Sequence, residues 1–189
     1  MGAQVRILLL LVILLLIPTN IFATTPIIDG LDNIKVSQSK LQQVAEWKRV
    51  PAVVVCTYAP IEKKEVVRAL DTWKKLGYIF YSGIYFKDSM AATICRSSDP
   101  EGYIIIDLVT QETFGKDDDI AITHFYIDNQ TREIHWAKIY LKTNIEERVL
   151  EHEFGHALGW MHSKKSGHLM HGKWIRGGWN LDGLKKTIK

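Results

Sequence analysis

From residue 51 onward the apolar positions fall into runs and periods that define elements. Residues 51–58, PAVVVCTY, form a continuous β-branched run of strand length, the pattern of a strand buried on both faces. Over 61–76, Ile61, Val66, Ala69, Leu70 and Trp73 recur at helical spacing, and Gly77 follows as a stop. Residues 78–86 and 102–109 read as further strands, the second carrying Tyr103, Ile104, Ile105 and Ile106. Asp128-Asn129-Gln130-Thr131 is a turn signal between 120–127 and 133–141, which predicts an antiparallel hairpin. A helix over 145–158 follows, with Asn144 as its cap and Glu147 placed to complete a capping box. This order of elements predicts an α/β sandwich with a mixed sheet.

The N-terminal pattern differs. Arg6 precedes the apolar run of residues 7–17, and Ala23 offers a small residue for cleavage, so residues 1–23 read as a secretory signal peptide. An uncleaved N-terminal anchor is the alternative, which sets the expected location as secreted or membrane-anchored outside the cytoplasm. Residues 24–50 are polar with weak periodicity and are expected to be a leader, a short propeptide or a surface helix around 40–47. The main folded domain, which also holds the candidate chemistry described below, is then expected over 51–189.

Composition adds bounds. At 47% hydrophobic and 24% charged, the 189-residue chain has room for one well-formed core. Without Arg6 the 24 basic residues become 23 against 21 acidic ones, a balance that argues against a nucleic-acid partner. Cys56 and Cys95, the only cysteines, would meet an oxidising compartment after export. A disulfide between them would be worth ~4 kcal/mol by the chain-entropy argument; two buried thiols are the alternative.

The candidate chemistry lies in residues 152–162, HEFGHALGWMH. His152 and His156 stand one helical turn apart and can face one ion, with Glu153 beside them. Zinc in a hydrolytic site takes three protein ligands and keeps a fourth position for water. Gly159 can end the helix in a conformation open to glycine and let His162 return as the third ligand. Glu153 is then placed as the general base that takes a proton from a metal-activated water. Five fixed positions arise by accident at on the order of 10⁻⁷ per start site.

With His152, Glu153, His156, Gly159 and His162 all in place, the chain resembles a metzincin zinc metalloprotease. Met170, eight residues after His162, matches the methionine turn of that family, and Ser163 resembles the matrixin subgroup. The resemblance implies a metzincin-like zincin domain: a mixed twisted sheet with an antiparallel edge strand, two main helices and a short C-terminal segment. It also implies a zinc-dependent endopeptidase with one catalytic Zn²⁺, acting as a monomer on a protein or peptide held in extended form along residues 120–127. A non-catalytic, zinc-stabilised peptide-binding module is the rival reading. The chain departs from the family in having no cysteine between residues 24 and 50 to act as a latency switch, and in carrying Gly172 where astacins place a tyrosine ligand.

Other residues have two readings each. A hairpin centred between Asn129 and Gln130 would set His124 opposite His135, and matrixins hold a structural zinc on these strands; a pair of neutral histidines at the end of a core face is the plainer reading. Asp117, Asp118 and Asp119 could hold calcium or simply be solvated. Trp174, Ile175 and Trp179 are expected either to wall a substrate pocket or to pack the C-terminal segment. His168 and His171 flank the methionine turn, and exposed loop histidines are the expectation.

Overall fold

The computed structural model describes residues 41–109, 120–143, 145–173 and 176–186. The signal segment, the Asp117 to Asp119 loop, Asn144, Trp174 and Ile175 lie outside the described residues.

The β-branched run becomes the centre of the sheet. β2 (Ala52–Val55) is buried along its length and pairs in parallel with β3 (Ile84–Phe86) on one side and β4 (Tyr103–Leu108) on the other. β4 pairs in parallel with β6 (Glu133–Leu141), and β6 pairs with β5 (Ala121–Ile127). A two-residue strand, β1 (Glu46–Trp47), runs parallel to the start of β6. The sheet is therefore mostly parallel, more so than the expected mixed sheet. Only β5 runs against its neighbour, and β6 is its one strand partner among the described residues.

Two unequal layers cover the sheet. On one face, Val53, Val55, Ile104, Ile106, Ala137, Ile139 and Leu141 meet Val66, Ala69, Leu70 and Trp73 of α1 (Lys63–Lys75) and Leu150, Phe154 and Ala157 of α3 (Val149–Ala157). On the other, Val54, Cys56 and Ile105 meet Ala91 and Ile94 of α2 (Ser89–Cys95), and Cys56 and Cys95 form the disulfide, their Cα atoms 6.0 Å apart. This third helix was not expected. Its signal is Asp88, whose carboxylate accepts from the Ala91 N–H at 2.7 Å, followed by a run of small residues.

Three further expectations are corrected. The strand expected over 78–86 shrinks to Ile84–Phe86, because Pro51 has no N–H to pair with the residues before it; only the Pro51 carbonyl is used, by the Tyr81 N–H. The leader expected over 24–50 is, from residue 41, part of the packed unit: Ala45 is buried in the main core and Leu41 and Val44 pack against it. It forms no helix there. Finally, the hairpin turn is wider than expected. Asp128 accepts from the Gln130 and Thr131 amides, Arg132 takes a left-handed φ of 62°, and a register shift follows at Tyr126/Ile127.

The register shift flips faces. His124 stands opposite Lys138 rather than His135, and His135 falls in the irregular part of β6. His124 packs edge-on against Tyr140, and His135 against Tyr126 with Glu101 3.7 Å away. The two histidines therefore do not stand directly opposite one another across the strands. Among the described residues, no helix is long and apolar enough to cross a membrane.

Candidate metal centre

The helix that carries the histidines begins at Val149, later than expected, because Arg148 takes a left-handed φ of 75° and cannot continue a helical turn backward. Once started, α3 is buried almost all round: Leu150, Phe154 and Ala157 enter the main core, while Glu151, Glu153 and His156 are buried polar groups. Each of those three must be satisfied locally.

At the other end α3 stops in a Schellman arrangement. Gly159 has φ 86°, its N–H donates to the His156 carbonyl at 2.8 Å, and the Trp160 N–H donates to Gly155 at 2.9 Å. A Cβ at Gly159 would also overlap the Ala45 carbonyl, so glycine is required twice over. Residues 42–47 secure this turn: Gln43 and Trp47 side chains donate to the Leu158 and Ala157 carbonyls, the Val44 N–H donates to Gly159, and Gln42 accepts from Met161. Nothing in the polar pattern of this segment announced that role.

The return brings His162 to the helix. The ligand-capable atoms of His152, His156 and His162 lie within 4.8 Å of one another, and among the described residues no other three His, Cys, Asp or Glu side chains converge in this way. The Nε2 atom of His156 is 3.0 Å from both of the other Nε2 atoms. Tetrahedral zinc with legs of 2.0–2.1 Å would set its nitrogen ligands about 3.4 Å apart, close to this spacing.

Tautomers support the same reading. His152 Nδ1 lies 2.7 Å from the Leu169 carbonyl and His156 Nδ1 lies 2.7 Å from the Trp160 carbonyl. A carbonyl only accepts, so each Nδ1 carries the proton and each Nε2 presents a lone pair. Two lone pairs 3.0 Å apart repel unless a cation lies between them. A proton is a poor candidate: burial, then the charge of His162, pushes His152 down to about 4, and the same causes push His156 well below the ordinary histidine value. The triad therefore has the donor set and spacing of a metal site, and His162, which is exposed, leaves it open to solvent.

The segment around Met170 packs against α3. Met170 is fully buried; its side chain lies under Gly155, where a Cβ would overlap the Met170 sulfur. The Met170 carbonyl accepts from the Ser163 N–H at 2.6 Å, and Leu169, one residue earlier, supplies the carbonyl that orients His152. His168 is buried rather than the exposed loop histidine expected, whereas His171 is half-buried.

Glu153 is 6% exposed, and its Oε2 accepts from the Thr123 hydroxyl of β5 at 2.6 Å. Glu151 is a second buried carboxylate that the sequence reading missed. It lies 3.0 Å from Arg68 Nε of α1 and 3.6 Å from Arg148 Nη1, while its carbonyl accepts from the Trp73 indole at 2.9 Å. Its signal was an acid at helical spacing from apolar positions, which reads equally well as a solvated face. Trp179, read either as a pocket wall or as packing of the C-terminal segment, stacks over the Arg148 guanidinium at 3.5 Å and remains largely exposed.

The structure thus brings His152, His156, His162, Glu153 and Met170 into one neighbourhood and leaves His124 and His135 apart from it. No protein-family model matches the chain, and no curated protein matches it.

Proposed function

We propose that the chain is a zinc-dependent endopeptidase of metzincin type, similar to a minimal matrixin. The observation that carries this reading is the convergence of three imidazoles, two with their tautomers set so that Nε2 faces the others. Three ligands with one exposed member suit an open, catalytic site better than a closed structural one. Bound zinc would polarise a carbonyl and lower the pKa of a water toward neutrality.

The chain's own residues would do the rest. Glu153, held by the Thr123 hydroxyl, takes a proton from the attacking water and returns it to the leaving amine. β5 has one strand partner among the described residues, and strand addition along its other edge would hold an extended peptide. The disulfide suits an exported protein.

The test uses purified protein and an unfolded protein substrate, with and without a chelator. Cleavage should require zinc. Glu153→Gln should keep one zinc per chain and lose about 10²–10⁴-fold in kcat/KM. Zinc binding without cleavage by the wild type would leave the peptide-binding module as the surviving reading.

A further inference from the structure

We infer that His168 is a positioning residue for the metal centre, acting through the Leu169–Met170 peptide that orients His152. This rests on the zinc-binding reading above. His168 is 1% exposed, and a buried imidazole is costly unless both nitrogens are satisfied. Both are. The Met170 N–H donates to Nδ1 at 3.0 Å, which leaves Nε2 to carry the proton, and Nε2 donates to the Asp182 carbonyl at 3.0 Å.

The Leu169 carbonyl and the Met170 N–H are the two ends of one peptide unit. At the carbonyl end His152 Nδ1–H donates; at the amide end His168 Nδ1 accepts. Three hydrogen bonds therefore run in one sense away from the metal centre: His152 to Leu169, Met170 to His168, and His168 to Asp182. Bonds aligned in this way polarise one another. Drawing on the Met170 N–H makes the Leu169 oxygen a better acceptor, which fixes the His152 ring and strengthens its Nε2 as a ligand.

The turn has other tethers. Leu169 N–H donates to the Asn180 carbonyl at 2.8 Å and Ser163 N–H donates to the Met170 carbonyl. Loss of the His168 ring should thus leave the turn formed but the relay broken, which separates a positioning role from a merely structural one.

Two substitutions divide the ring's functions. In His168→Asn the amide oxygen stands near the place of Nδ1 and still accepts from Met170, while the bond to Asp182 is lost. In His168→Gln the amide nitrogen reaches toward Asp182, while the Met170 N–H loses its acceptor. Zinc affinity is read by chelator competition, the His152 environment by the visible spectrum of the Co²⁺-loaded protein, and folding by the thermal midpoint without metal. His168→Gln should bind zinc about tenfold more weakly and shift the Co²⁺ spectrum, whereas His168→Asn should stay within about twofold of wild type. Both should lower the metal-free midpoint.

Equal losses of affinity in the two variants, or none in either, would overturn the relay. Should His168→Gln not fold, His168→Met takes its place as the variant without an acceptor for the Met170 N–H: about tenfold weaker zinc binding beside retained affinity in His168→Asn supports the relay, and equal affinities overturn it. A wild type that binds no zinc removes the proposed function and this inference together. A wild type that binds zinc tightly, with His168→Gln unchanged, removes this inference alone.

Discussion

Gly155 lies in the middle of α3, where glycine costs up to about 1 kcal/mol relative to alanine. Its place is explained by what lies beneath: Met170 and the edge of the Trp73 ring occupy the space a Cβ would need. Gly155→Ala should lower the thermal midpoint, because overpacking of about 1–3 kcal/mol outweighs the gain in helix propensity. Combining it with Met170→Ala should restore part of the loss relative to the sum of the single changes, and a double-mutant cycle of thermal midpoints measures that coupling. At this scale the convergence of the three histidines was legible, since His152 and His156 are joined by one helical turn and His162 follows the local turn at Gly159. Glu151 and His168 were not, because their burial depends on α1 and on residues 180–182, which no local pattern reveals.

Among elements, legibility followed how local the deciding interactions are. α1 and β4 appear close to their expected bounds, since their apolar periods alone select a face. The β5–β6 register did not, for it depends on the left-handed Arg132 and on a shift at Tyr126/Ile127, and an odd displacement moves every side chain to the opposite face. The parallel β4–β6 pairing also makes a half-buried polar cluster, where Asp107 of β4 stands opposite Tyr140 and Lys138 acts on it through its charge. Burial first, and less strongly the Leu108 amide and Lys138 against it, leaves the Asp107 carboxyl above its ordinary value.

The sign follows from linkage. A raised folded pKa means that Asp107 contributes stability only while protonated, and that contribution fades as pH rises through the folded value. Asp107→Asn keeps an oxygen to accept from the Leu108 N–H. It should raise the thermal midpoint at pH 7 by about 1–2 °C, and the gap from wild type should close as pH falls into the acid range. Thermal melts of both proteins between pH 3 and pH 7, as a rough range, check this.

For the molecule as a whole, the sheet separates two jobs. The α1 and α3 face carries the histidine triad, while the α2 face holds the Cys56–Cys95 disulfide across a sequence separation of 39 residues. Replacing both cysteines with serine should cost about 3–4 kcal/mol of stability. Zinc affinity of the protein that remains folded should change little, because the lost link lies behind the sheet. Denaturant melts paired with chelator competition would show whether the two faces are as separate as their packing implies.

The segment that secures Gly159 also constrains how the chain can be matured. Gln42, Gln43 and Val44 hold the return that carries His162, and the Trp47 indole covers the end of α3. Trimming that ran into residues 42–47 would cut into the support of His162, so this peptide sets how far a processing cut could advance without loosening the triad.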